Sequence, residues 1–311
     1  MNDADPTGAG SPASVAFLDN PTARHGAHTG AARRAALLLR GAGIDVRALP
    51  ARTPGEASAL LTDAVGRGAE AVVVAGGDGT VGLAVQVLAG TGIPLGIIPT
   101  GTGNDLATGL GLRELDADGA AAAVIGGRVR EIDLARLTRA DGTSTLFGTV
   151  LASGFDSKVN DRANRMPWPR GHVRYDIAIL AEFLRLRADP FRIELELADG
   201  RVEVVDDTLT LTAIGNGRTY GGGIPICPVA DLADGLLDAT IVRRVSRPRL
   251  LRLLPRVYRG THPTIPEVST YRIRSARLVA SGVTAYADGE PQGPLPVHVA
   301  AVPGALRVFA P

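Results

Sequence analysis

The chain has little with which to cross-link itself. Cys227 is the only cysteine among its 311 residues. That excludes an internal disulfide and a cysteine zinc site, and it suits a reducing compartment. Lysine is as scarce: Lys158 stands alone, and arginine supplies the remaining positive charge. A Walker-type phosphate loop needs a lysine directly after its glycines, and a protein kinase needs one on a strand. Neither arrangement occurs. Aromatic residues make up 4% and the net charge is +1, so base-stacking platforms and a chain-wide polycation are both excluded, and no nucleic-acid partner is expected. No run of about 18 apolar residues is present to span a bilayer. No GxSxG elbow supports a hydrolase nucleophile. His25 and His28 have HxxH spacing but no nearby acid or cysteine to complete a metal set.

What is present supports a large core: 45% of residues are hydrophobic and 21% charged. Residues 1–13, acidic and rich in Gly and Pro, read as a disordered leader. From Ser14 onward, apolar strand-like runs (SVAFLDN, IDVRALP, AEAVVVAGG, IPLGIIP) alternate with helix-like segments. That alternation predicts a parallel sheet covered on both faces, an α/β domain of Rossmann-like class. After about Leu137 the pattern becomes antiparallel, with hairpin turns at Asp141-Gly142 and Asp199-Gly200 and one amphipathic helix over 173–188. A domain boundary is placed near residue 135.

The segment AGGDGTVG (75–82) joins an apolar strand to a helix, where bare backbone N–H groups hold phosphate. Its oddity is the carboxylate of Asp78. An unscreened carboxylate about 4 Å from a phosphate charge costs on the order of 4 kcal/mol per charge pair. A divalent cation between them reverses the sign, so Asp78 suits a Mg²⁺–nucleotide site. A second loop of the same kind, GIIPTGTGNDLATGLG (96–111), supplies Thr102, Asn104 and Asp105. Both loops would open at the carboxyl edge of one sheet, where open α/β sheets bind ligands. Three other readings stand beside this one. Gly77–Gly82 also fits the GxGxxG pattern of a dinucleotide site. Asp78 could simply fill a glycine turn, and Asn104 and Asp105 could simply cap a helix.

Taken together, AGGDGT, IPTGTGNDLA, SGFDSKVN, GNGRTYGGG, CPVADLADGLLD and YADGE resemble the diacylglycerol kinase catalytic-domain family, and within it the soluble bacterial lipid kinases. The resemblance implies a nucleotide-binding α/β domain formed by 14–135 plus 292–311, and a β-sandwich domain with a helical insertion over 136–291. It implies ATP and Mg²⁺ as cofactors, and γ-phosphoryl transfer to a hydroxyl of diacylglycerol or a similar lipid. A kinase of a soluble alcohol such as NAD, on a related scaffold, is the alternative. The matching nucleotide residues are Asn20, Pro21, Thr22, Ala23 and Arg24 (an NPT start whose usual Ser-Gly is altered), Thr53, Gly77, Asp78, Gly79, Thr80, Val81, Gly82, Leu83, Thr102, Asn104 and Asp105. Asp133 matches an acid that acts with Asp78 on metal and water, and Glu290 matches the general base. A carboxylate there can take the proton of a lipid alcohol as the phosphoryl group arrives, although an ordinary hairpin glutamate fits the same D-G-E-P turn. Asp231, Asp234 and Leu236 match a structural Mg²⁺ loop, and a plain Asp-Gly turn fits equally.

Two basic segments could press on an anionic bilayer: RRVSRPRLLRLLPRVYRG (243–260), and Lys158, Arg162, Arg165 and Arg170 around Met166 and Trp168. The expectation is therefore a cytoplasmic protein peripheral to the inner face of the membrane. The sequence is compatible with a homodimer.

Overall fold

The computed structural model describes residues 10–19, 27–166, 168 and 172–311. Residues 1–9 of the expected leader, and the whole of Asn20–Arg24, lie outside the described residues. The chain divides into two compact units, 1–134 with 303–311, and 135–302. The first holds β1 (Ser14–Asp19), α1 (Ala27–Gly41), β2 (Asp45–Pro50), α2 (Pro54–Gly66), β3 (Val72–Gly76), α3 (Asp78–Leu88), β4 (Leu95–Pro99), α4 (Asp105–Gly109), α5 (Ala117–Gly126) and β5 (Val129–Arg139) as far as Leu134. The second holds the rest of β5, then β6 (Ser144–Phe147), β7 (Val150–Gly154), α6 (Phe155–Arg165), α7 (His172–Leu184), β8 (Asp189–Leu197), β9 (Val202–Gly215), β10 (Leu237–Arg243), α8 (Arg247–Tyr258), β11 (Val268–Val279), β12 (Thr284–Ala287), β13 (Glu290–Pro294) and the start of β14 (Val297–Phe309).

In the first unit the strands run parallel in the order β2, β1, β3, β4, with the end of β14 beside β4. Val72, Val73 and Val74 are wholly buried. Helices cover both faces of the sheet, so a strand here reads as an unbroken apolar run instead of an alternation. On one face α1 and α5 present Ala32, Ala35, Leu39, Ala120, Ala121 and Val124 to Val15, Phe17, Val73 and Ile98. Alanine suits that layer because α5 lies close to β4: a Cβ at Gly96 would stand 2.7 Å from Val124 Cγ2. The register pairs Asp19 with Ala75 and Gly76 with Pro99. The loops after β3 and β4 therefore leave the same edge side by side.

The second unit is antiparallel. Its long strands each serve two partners: β9 pairs with β8 through 202–209 and with β10 and β7 through its later residues. Likewise β11 pairs with β10 and then β8. Such switching closes a sandwich around Leu137, Phe147, Phe191, Ile193, Leu195, Ile273 and Leu278. The turns at Gly142 and Gly200 carry φ of 83° and 86°, as the Asp-Gly pairs require.

Two expectations need correction. The chain returns to the first unit at Pro303, later than residue 292. The reason is pairing: β13 closes a hairpin on β12, and β14 begins against β11 (Val297 with Leu278) before reaching β4 at Val308. The stretch after Gly154 is also helical, as α6. Its residues, FDSKVNDRANR, lack a broad apolar face, so no helical period announces it.

Candidate active site

The two glycine loops of the first unit form one object. Thr100 N donates to Gly76 O at 3.1 Å. Gly101 and Gly77 meet backbone to backbone, since a Cβ on Gly101 would stand 2.4 Å from Gly77 Cα. Asn104, in the left-handed region at φ 54°, folds its amide back onto Gly101, accepting from Gly101 N at 3.1 Å and donating to Gly101 O at 2.8 Å. Asp78 ties the pair together. Its Oδ2 accepts from Asn104 N at 2.9 Å and its Oδ1 from Asp105 N at 2.7 Å. A methyl at 103 would collide with that carboxylate, at 2.2 Å from Oδ2. So the acid in the first glycine loop is a cross-brace that caps the opposite loop. Two of the roughly four acceptor positions of a carboxylate are used this way.

Most of the other expected residues of this unit stand at the starts of helices. Gly79–Leu83 form the first turns of α3, with Thr80 N and Val81 N donating to Gly77 O. Thr80 is buried, and a Cβ on Gly76 would strike its side chain at 2.5 Å. The amides of Gly79, Thr102 and Gly103 donate to no acceptor among the described residues. They are the donors that a polyphosphate needs at a helix N-terminus and its neighbouring loop. The donor set thus fits a nucleotide phosphate. Thr53 is the N-cap of α2: its Oγ1 accepts from Glu56 N at 3.2 Å, while Glu56 accepts from Arg52 N at 2.7 Å. Asp133 is buried on β5, and its Oδ1 accepts from Gly304 N at 2.8 Å. Asp19, at the same sheet edge and unmarked by any motif, has its carboxyl pushed up from its ordinary value by burial.

In the second unit Glu290 opens β13, exposed, directly after the Asp288-Gly289 turn, where both residues have positive φ (50° and 79°). The hairpin is not a free tip. Asp288 accepts from Gly148 N (2.9 Å), Thr149 N (2.8 Å) and Thr149 Oγ1 (2.5 Å). These three bonds fix the turn and so the origin of the Glu290 side chain. The sequence reading had no role for Asp288, because its partners lie some 140 residues away.

The loop 231–236, whose expected ligands are the main-chain carbonyls of Asp231 and Leu236 and the Asp234 carboxylate, is held by its own polar contacts. Asp234 Oδ1 accepts from Leu236 N at 3.0 Å, its Oδ2 is paired with Arg272, and Asp231 Oδ1 accepts from Ala233 N at 3.1 Å. Among the described residues, no group of three His, Cys, Asp or Glu side chains is arranged to hold a metal. Nearby, burial raises the Asp238 carboxyl to about 6, with Arg272 opposing the shift. Asp156 is likewise raised to about 6 by burial, against the opposing bond from Tyr220 Oη at 2.5 Å. Lys158 and Arg162, expected as headgroup contacts, are partly buried. They pair with Asp189 and Glu182, both at 2.5 Å.

Sequence comparison matches residues 14–137 to the diacylglycerol kinase catalytic domain and 149–310 to the YegS C-terminal NAD kinase beta sandwich-like domain. The chain is 50% identical over 297 residues to a diacylglycerol kinase of Mycobacterium tuberculosis, covering 96% of this chain and 95% of that one. It belongs to the diacylglycerol kinase family. Membership makes it a kinase, a phosphotransferase with an alcohol acceptor. A Salmonella gallinarum protein named "Probable lipid kinase YegS" is 31% identical over 287 residues, covering 90% of this chain and 91% of that one. The fold of the kinase matches a crystal structure of a diacylglycerol kinase from Bacillus anthracis with a TM-score of 0.72 at 21% identity, over 97% of this chain and 98% of that chain. No described helix is long and apolar enough to cross a membrane.

Proposed function

We propose that the kinase transfers the γ-phosphoryl group of Mg·ATP to a hydroxyl of diacylglycerol or a closely similar lipid, working from the cytoplasm at the inner face of the membrane. The observation that carries the reading is the braced pair of glycine loops with amides at Gly79, Thr102 and Gly103 that donate to no acceptor among the described residues, in a chain half identical to a diacylglycerol kinase over nearly its full length. Those amides hold the phosphates, and the rigid brace keeps them in place, so little reorganisation is needed on binding. Asp78 and Asp133 would hold Mg²⁺ and its water. Bound there, the ion would neutralise charge on the phosphates.

Glu290 accepts the proton of the lipid hydroxyl as the O–P bond forms and the bond to the β-phosphate oxygen breaks. Asp288 acts on that step as a positioning residue, through the turn it anchors. Its alanine variant is expected to lower kcat with KM for ATP unchanged. The test of the whole reading is incubation with labelled ATP, Mg²⁺ and a panel of lipids in mixed micelles, followed by identification of the phosphorylated product. Glu290→Gln is expected to abolish transfer while leaving ATP affinity within about twofold. A variant that keeps its rate removes Glu290 as the base, and absence of any phosphorylated lipid removes the function.

A further inference from the structure

The helix α7 carries two apolar faces. One is spent inward: Ala178 is fully buried among α6 residues, and Phe183 packs on the core beneath α8. The other has no partner among the described residues. Val173, Ile177, Leu180 and Leu184 follow one another at steps of four, three and four, which places them on one stripe of the helix. They are 55%, 42%, 59% and 60% exposed, and Trp168 just before the helix is 79% exposed. An exposed apolar row of this length, ending in tryptophan, is unusual on a protein surface that faces only water.

The charges around it are sorted. Among the described side chains from 164 to 190, the exposed charged ones are Arg165, Arg185 and Arg187. Three acids of α6, α7 and β8 whose side chains are described are already engaged. Asp161 accepts from Tyr286 Oη at 2.7 Å, Glu182 holds Arg162, and Asp189 holds Lys158. Directly beyond the helix, Arg187 joins Arg244, Arg247, Thr208 and Ser246 around an open cavity of about 540 Å³. An apolar stripe flanked by exposed arginines, with a basic hollow at its end, is the chemistry of a helix that lies in the boundary between headgroups and acyl chains.

We infer that the α7 stripe with Trp168 is the face by which the protein docks on an anionic phospholipid bilayer, the apolar side chains entering the acyl boundary while Arg165, Arg185 and Arg187 meet phosphate headgroups. The arginine-lined hollow receives one such headgroup. This deepens the lipid-kinase reading and rests on it, because a substrate dissolved in a bilayer has to be reached from its surface. It also moves the membrane contact from Lys158 and Arg162, which are internally paired, to the helix that follows them.

The experiment uses the full chain and sucrose-loaded vesicles of phosphatidylcholine with and without phosphatidylglycerol. Trp168 is the only tryptophan, so its emission reports directly from the proposed face. The expected result is sedimentation with phosphatidylglycerol vesicles together with a blue shift of that emission. The doubly charged variant Leu180→Glu with Leu184→Glu is expected to lose at least about tenfold in vesicle affinity. Arg185→Gln with Arg187→Gln is expected to lose the preference for phosphatidylglycerol. Both pairs are exposed, so each variant should melt with the wild type. Sedimentation of the Leu180→Glu, Leu184→Glu variant equal to wild type overturns the proposal, as does vesicle binding that leaves Trp168 emission unmoved, or no binding at all. A short-chain diacylglycerol dissolved as monomers separates the two readings. Equal phosphorylation of it by wild type and variant, with loss on vesicle-borne diacylglycerol, supports the docking face. Failure of the wild type on both substrates removes the lipid-kinase reading instead.

Discussion

Asp78→Asn separates the brace from the ligand. In the wild type both carboxylate oxygens accept backbone N–H bonds, at 2.7 Å and 2.9 Å. The asparagine keeps one acceptor and turns an NH₂ toward the other amide, so one bond is lost and a donor faces a donor. A hydrogen bond to a charged group contributes about 1.5–3 kcal/mol and a neutral one about 0.5–1.5. Losing one charged bond and neutralising the other therefore costs about 3 kcal/mol. The site is half-buried, and water can partly replace the lost partner, which brings the figure to about 2 kcal/mol. For a unit of this size about 3 °C of melting temperature goes with each kcal/mol, giving a drop of about 6 °C. The assay is a calorimetric scan without nucleotide and without divalent metal, repeated with Mg·ATP. The brace predicts that the full drop appears in the ligand-free scan. If ligand-free Asp78→Asn melts within about 1 °C of wild type, the carboxylate is not structural and the reasoning fails.

Other outcomes follow from the same geometry. Gly82 lies inside α3 with nothing within 4 Å of a would-be Cβ, so Gly82→Ala should raise the melting temperature by an amount matching about 0.5–1 kcal/mol. If Gly82 flanks the nucleotide, ATP affinity should fall in the same variant, measured by titration calorimetry. The Asp156 carboxyl has a folded-state value of about 6, above its usual 3.8. The folded state therefore binds the extra proton between those values, and stability is lost as pH rises through about 6. Asp156→Asn should remove that slope, so its melting temperature relative to wild type should be higher at pH 7.5 than at pH 4.5. Arg272→Ala strips Asp234 of its ion-pair partner. The variant should melt lower than wild type in chelator and gain more from added Mg²⁺ than wild type does, as read by circular dichroism.

Much of the first unit was legible because its signals are local. VVVAG and LGIIP are continuous apolar runs between glycine-bearing turns, and a parallel sheet covered on both faces writes itself that way. The glycine loops were legible for the same reason. What Asp78 does was not: its partners are 26 and 27 residues away and are backbone amides, which carry no side-chain signature. The Asp288 anchor and the Asp234–Arg272 pair were hidden by distance along the chain. Helix α6 escaped because its polar surface is satisfied by ion pairs to α7 and β8 instead of by solvent. The late return of β14 depended on which strand it meets first, a matter of pairing, not composition.

The shared footing of the two glycine loops bears on how such enzymes can be re-engineered. Positions 77, 78, 101, 103 and 104 form a single steric and hydrogen-bonded lock, so a graft that imports either segment alone from a distant relative brings half a key. Chimaeras that exchange both together should retain nucleotide affinity, and evolutionary change at this edge is expected to proceed by paired steps.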